Sequence, residues 1–413
     1  MGTPFIRRTG LVAFLGVVTL AAVAACGGGS AKIIDPEKST SAAKISVTPK
    51  GDSKDIPVSS ELTWKVEKGE LTKIELTDSK GEKVKGEMRA DKSSWVPSKP
   101  LAYGTKYTAK VSATDSDDLP RTEKATFTTM KEPSNLLNGS VFNGDGSTYG
   151  KAMPVIMDFP REFEVPEDQR EAVEKRLFVS SEPSQPGAWH WFSGNHLEYR
   201  PKDFWEPGTK IDVRLGLEGL PLGGDVYGAD DVSISMNISE DDREIKVSND
   251  SKSMTAIENG ENVKSMDISL GKKGNESYSG TMTVMEKLKK TEFNTFDEPG
   301  CEGKKEGEDD DCYKTKIKYA QRLTWSGQFI HSAPWSVADQ GKRNVSHGCV
   351  NASEKNSKWI FEFASVGTPV IVEGTGHDLP YGDGFTAYGL SWEKFLEGSY
   401  LPAPEGDDTK EED

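Results

Sequence analysis

Histidine and cysteine are scarce in this chain, with five and four among 413 residues. Positive charge is also in deficit: 51 Lys and Arg stand against 67 Asp and Glu, a formal net charge of −16. So acidic a chain repels a polyanion, which argues against nucleic acid as a partner. The acidity signals solubility and names no substrate. Past residue 25 no apolar run reaches the roughly 20 residues that a spanning helix needs. The sequence has neither a Cys-x-x-Cys pair nor His-Glu-x-x-His. His331, His347 and Cys349 are possible zinc ligands by type, but their spacing matches no metal motif.

The apolar residues that do run together lie at the start. Arg7 and Arg8 precede Leu11 to Ala25, a stretch interrupted by Gly16 and Thr19 and too short to span a bilayer comfortably. Val23-Ala24-Ala25-Cys26 resembles a bacterial lipobox, in which Cys26 would be lipidated and become the mature N-terminus. An ordinary secretory signal with an incidental cysteine is the other reading, and Gly10 and Leu11 fit a twin-arginine signal poorly. Residues 1–25 are thus expected to be a signal, and 26–43, with Gly27-Gly28-Gly29-Ser30, a flexible tether. Removing Arg7 and Arg8 takes the formal charge from −16 to −18. The expected location is the outer face of the cytoplasmic membrane, held by lipid. The acidic stretch 403–413 reads as a disordered tail.

An internal repeat sets the organisation of the chain beyond the tether. Trp95-Val96-Pro97 precedes Gly104-Thr105-Lys106, and Tyr199-Arg200-Pro201 precedes Gly208-Thr209-Lys210 at the same internal spacing. Each copy continues into an alternating stretch, Tyr107 to Val111 and Ile211 to Leu215, the mark of a half-buried strand. A period near 100 residues suits an immunoglobulin-like sandwich. Two such domains are expected, at 44–131 and 135–238. The second carries an insertion from Pro166 to Phe178 with charges at helical spacing. Its Trp189, His190, Trp191 and His196 suit buried sandwich aromatics better than a carbohydrate platform.

Residues 239–376 read as a third, β-rich domain. Strands are expected at Glu244–Val247, Met266–Leu270, Met282–Met285 and Val370–Val372. A helix bearing Trp359, Ile360 and Phe363 would be capped by Ser353. An aromatic-rich extension, 377–402, with Trp392 and Phe395, is expected to pack back onto the domains.

The chemistry gathers around Ser346-His347-Gly348-Cys349-Val350-Asn351, with His331-Ser332 upstream. A thiol attacks as thiolate, and a neighbouring imidazole is the usual way to make one. Cysteine parity points the same way. With Cys26 assigned to lipid, pairing Cys301 with Cys312 leaves Cys349 as a free, working thiol. His331 follows Phe329-Ile330 at the end of an apparent strand, a rigid mount for a base. Gly348 admits close backbone approach. The N–H groups of His347, Gly348 and Cys349 are expected to form an oxyanion hole. Lys342 and Arg343 either meet substrate carboxylates or are solvated.

His331-Ser332-Ala333-Pro334-Trp335 followed by Ser346-His347-Gly348-Cys349-Val350-Asn351 resembles the active-site signature of bacterial L,D-transpeptidases, and the Pro-Trp form resembles actinobacterial members. The resemblance extends more loosely over 244–376. It implies a β-rich catalytic fold and a thioester on Cys349 formed with the third residue of a peptidoglycan stem. D-alanine would leave and the acyl group would pass to a second stem, making a 3-3 cross-link. It further implies that His331 is the base, oriented by the Ser332 carbonyl, and that Tyr313 reaches the oxyanion, with Tyr319 as a nearby competitor. Ser332, Trp335, Ser346 and Asn351 become substrate-binding candidates by motif match. Trp335 could equally be core packing, and Asn351 a helix cap. His347 either lies beside the thiol or shapes the loop. Carbapenem-type β-lactams would acylate Cys349. No metal or organic cofactor is called for. An L,D-carboxypeptidase, a cell-wall cysteine hydrolase and a non-catalytic lipid-anchored wall scaffold are the alternatives.

Overall fold

Period-two alternation decides the first two domains. In the strand Lys106–Thr114, Tyr107, Ala109, Val111 and Ala113 are all buried while their neighbours are not. In Lys210–Leu215 the buried set is Ile211, Val213 and Leu215. One face of each strand therefore meets a core and the other meets solvent. The repeated glycines that precede these strands, Gly104 at φ 57° and Gly208 at φ 79°, both take the left-handed conformation that glycine reaches without steric cost.

The structure is a computed structural model that describes residues 40–404 apart from 90, 297–299, 302, 306–307 and 309–311. The expected signal, Cys26 and the acidic tail from 405 onward lie outside the described residues. The fold is mainly β. The first sandwich packs a four-stranded sheet (Lys44–Thr48, Leu62–Glu67, Ser94–Pro97, Gly86–Met88) on a three-stranded one (Glu70–Asp78, Lys106–Thr114, Pro120–Thr128). Leu62, Leu76, Val111 and Phe127 lie at its centre. The second packs two four-stranded sheets around Met153, Ile156, Trp189, Leu197, Trp205 and Val213. Trp189 and Trp191 are buried in this sandwich's core, His190 is buried on the opposite sheet face against Phe395 and Tyr381 of the C-terminal extension, and the insertion forms the helix Glu167–Glu174.

The strands from Arg243 onward form one nine-stranded sheet. Its order is 280–283, 369–373, 243–248, 253–258, 261–269, 350–352, 329–332, 314–322 and 286–294. Two of its pairings are parallel: Phe329–Ser332 with Val350–Ala352, and Arg243–Ser248 with Pro369–Glu373. The helix Glu354–Phe363 buries Ile360 and Phe363 against this sheet's core. Ser353 caps it, its Oγ accepting from the Asn356 N–H at 3.2 Å.

Polar contacts hold the three parts to one another. Glu61 of the first sandwich accepts from Arg89 and from the buried Arg176 of the second. The second sandwich meets the catalytic sheet where the Gly150 and Ala152 N–H groups donate to Val366 and Gly367. The C-terminal extension bridges the two: on the sheet side the Leu379 N–H donates to the Ser279 carbonyl at 2.8 Å. Glu198 accepts from the Ala387 N–H at 2.8 Å, Arg200 donates to the Ala387 and Leu390 carbonyls, and Glu174 accepts from Ser399 Oγ and the Tyr400 N–H.

Candidate active site

Strand register places the candidate nucleophile and candidate base together. In the parallel pair His331 lies opposite Asn351, and Cys349 precedes Asn351 by two residues. Directly paired residues share a sheet face and so do residues two apart. His331, Asn351 and Cys349 consequently open onto one cavity of about 240 Å³. Its other walls are Phe293, Tyr313, Thr315, Ile317, Trp335, Val345, Ser346 and His347.

Burial governs the electrostatics. Cys349 is 8% and His331 4% exposed. Loss of solvent pushes the thiol up to about 12, against a smaller opposing effect of the Phe329 backbone. Loss of solvent likewise pulls His331 down to about 4, against the smaller opposing effect of the Ser332 carbonyl. The resting pair is neutral thiol and neutral imidazole. The thiol donates to the Gly327 carbonyl at 3.7 Å. His331 Nδ1 donates to the Ser332 carbonyl at 3.0 Å, which fixes the tautomer and leaves Nε2 as the proton acceptor. The ring packs between Phe293 and Trp335.

The turn carrying Cys349 is held from several sides. Gly348 sits at φ 113°, and a Cβ there would lie 3.2 Å from Gln328 Nε2. Ser277 Oγ donates to the Gly348 carbonyl at 2.6 Å, and Ser346 Oγ donates to the Cys349 carbonyl at 2.6 Å. The Gly348 N–H donates to Ser346 Oγ at 3.3 Å. This modifies the expectation of three oxyanion donors, because the Gly348 N–H is turned inward in this state. Ser346 lines the cavity as well as holding this turn through its hydroxyl.

The other candidates sort by position. Tyr313 is in the wall, with its ring centroid 5.2 Å from that of His347. Tyr319 is not; it packs against Phe361 of the helix. Trp335 is 59% exposed at the cavity mouth, which excludes core packing. Ser332 is buried and absent from the wall, so its carbonyl is what serves the site, not a substrate-binding hydroxyl. Asn351 is no helix cap, since Ser353 takes that part. Its Nδ2 donates to Ser336 Oγ at 3.3 Å, while Oδ1 is buried without a partner beside the cavity. His347 is exposed in the cavity wall, its Nε2 accepting from Lys272 Nζ at 3.0 Å. Lys342 and Arg343 stay outside the wall, occupied by the Ala338 carbonyl and Asp339.

Sequence reasoning misses Phe293, Thr315 and Ile317 as walls, and Ser277 and Gln328 as supports. Positions 313, 315 and 317 recur at period two, a signal that points to Thr315 and Ile317 once Tyr313 is placed at the site. Ser277 and Gln328 carry no such signal, because only folding brings them under Gly348. Cys301 and Cys312 are joined in a disulfide, and Cys349 is free.

Comparison with known proteins points to the family that the motif resembles. Residues 242–372 match the L,D-transpeptidase catalytic domain family, and residues 53–221 match the bacterial Ig domain family. L,D-transpeptidase 2 of Mycobacterium tuberculosis is 29% identical over 411 residues, spanning 96% of this chain and 97% of that protein. L,D-transpeptidase 1 of the same species is 31% identical over 239 residues, spanning 57% of this chain and 84% of that protein. A solved L,D-transpeptidase structure in complex with imipenem is 28% identical, covers 58% of this chain and 100% of that chain, and superposes with a TM-score of 0.48. With its motif, the family match and the two mycobacterial proteins in agreement, the chain belongs to the L,D-transpeptidase family.

Proposed function

We propose that this protein forms 3-3 cross-links between peptidoglycan stem peptides through a thioester on Cys349, releasing D-alanine. The observation that carries the reading is the placement of a free, buried thiol and a tautomer-fixed imidazole on one sheet face, opening on one cavity. Cys349 Sγ attacks the carbonyl of the stem's third residue as its proton passes to His331 Nε2. The N–H of Cys349 and the Tyr313 hydroxyl would be the donors to the developing oxyanion. As the C–N bond breaks, His331 returns its proton to the leaving amine, and D-alanine departs. An amine from an acceptor stem then attacks the thioester, giving a new amide and restoring the thiol.

The neutral resting pair suits this sequence. A thiolate of high pKa is intrinsically more nucleophilic than one of low pKa, and proton transfer to the imidazole during attack generates it only when it is used. The unpartnered Asn351 Oδ1 stands ready to accept from a stem amide N–H. The same thiol would open a carbapenem β-lactam ring and keep the acyl group. The Cys26 lipid would hold the protein at the outer face of the cytoplasmic membrane, with the sandwiches lifting the catalytic sheet towards the wall.

An L,D-carboxypeptidase uses the same residues with water as acceptor. Incubation with purified disaccharide-tetrapeptide, read by mass spectrometry beside Cys349→Ala, separates the two. A dimer lacking one D-alanine, lost in the variant, supports cross-linking. Tripeptide alone transfers the assignment to the carboxypeptidase. No turnover by wild type overturns both.

A further inference from the structure

The hairpin formed by Glu286–Asn294 and Lys314–Arg322 supplies Phe293, Tyr313, Thr315 and Ile317 to the cavity wall. Its outer strand is the edge of the nine-stranded sheet. An edge hairpin has a neighbouring strand on one side only, so its tip must be held by other means. The ladder ends at Asn294 opposite Lys314. One further step is made by Thr295 and Tyr313. The Thr295 N–H donates to the Tyr313 carbonyl at 3.0 Å, and the Tyr313 N–H donates to Thr295 Oγ1 at 2.9 Å. The next residue is Cys312, bonded to Cys301, and both half-cystines are buried.

The sequence between the half-cystines is Glu302-Gly303-Lys304-Lys305-Glu306-Gly307-Glu308-Asp309-Asp310-Asp311. It contains no apolar side chain that could pack the tip onto the domain. A covalent tie replaces that packing by removing alternative arrangements of the loop. Tyr313, adjacent to the tie, is thereby set against His347.

Resting on the function proposed above, we propose that the Cys301–Cys312 disulfide is the positioning element for Tyr313. Acyl transfer therefore needs this disulfide oxidised while Cys349 stays a thiol. The consequence runs against the habit of cysteine enzymes: a reductant that leaves Cys349 untouched slows this one. A trialkylphosphine reduces the disulfide by passing it two electrons. Water supplies the oxygen of the phosphine oxide and the two protons, and two thiols result.

The test measures D-alanine release from tetrapeptide by wild type, Cys301→Ser/Cys312→Ser, Tyr313→Phe and the triple variant. The double variant should lose about tenfold in kcat with KM changed less than twofold and one reactive thiol per chain retained. Tyr313→Phe should lose a similar factor, and the triple variant no more than Tyr313→Phe, since a tie acting through Tyr313 has nothing left to position. Wild type treated with the phosphine in its folded state should match the double variant, which covers the case in which the serines impair folding. Wild-type kcat after disulfide loss overturns the proposal. So do losses that multiply in the triple variant, because they show a tie acting elsewhere. Absence of D-alanine release from wild type defeats the proposed function itself.

Discussion

Cys349 and His331 are chemically ordinary side chains made unusual by desolvation. Neither is charged at rest, because the cavity that brings them together also strips both of water. A histidine held down to about 4 keeps its Nε2 lone pair across the neutral range and loses it only as pH falls through that value. The acylation rate of Cys349 should therefore hold level from pH 8 to below 6 and fall on an acid limb near 4. Stopped-flow acylation by a carbapenem checks this. A limb near 6.5, the ordinary histidine value, would mean the ring is solvated. Gly348 gives a second test. Alanine there must hold φ 113° and press on Gln328, so the turn will shift. Gly348→Ala should lower kcat by roughly a hundredfold with little change in the melting temperature.

Short elements carry these groups, and each is fixed by its neighbours. The strands Phe329–Ser332 and Val350–Ala352 are four and three residues long, too short to be legible by periodicity alone. They exist because longer strands and the helix Glu354–Phe363 cover them. That helix is foreseeable from its cap and its apolar spacing, and the structure places both where the sequence implies. Ser353→Ala removes the acceptor for the Asn356 N–H and should cost about 1 kcal/mol. Thermal unfolding would show it as a drop of about 2–4 °C. An unchanged midpoint would mean that packing of Ile360 and Phe363 alone holds the helix. One local expectation fails for a tertiary reason. Ser332 is polar and near the motif and so looks available to substrate, yet it is buried outside the cavity wall and its carbonyl is spent on His331.

The arrangement of the domains depends on buried polar contacts around the C-terminal extension. Glu198 links the second sandwich to Ala387, and His196 bridges Glu198 and Asp158 at 3.3 and 2.6 Å. Burial lowers the His196 pKa, but the hydrogen bonds and charges of Asp158 and Glu198 outweigh it and leave the value at about 9. A histidine raised above its unfolded value contributes stability that is complete below about 6.5 and is lost as pH rises through 9. The extension should thus become more open to limited proteolysis between pH 7 and 9.5. In His196→Gln the susceptibility should no longer change over that interval. Equal cleavage of wild type at both pH values would remove His196 from any part in holding the extension.

What the sequence determined was local and repetitive. Period-two alternation after Gly104 and Gly208 marked the sandwiches, a cap and apolar spacing marked the helix, and an odd cysteine flanked by histidines marked the candidate nucleophile. These signals are legible because they depend on neighbours along the chain. Tertiary structure decided the rest, since it depends on residues far apart in sequence. The register that sets His331 opposite Asn351 put base and thiol on one face. The supports from Ser277 and Gln328 fixed the turn, and the packing of Tyr319 on Phe361 left Tyr313 to line the cavity. Burial then set both protonation states, because desolvation is a property of the closed cavity and of no single residue.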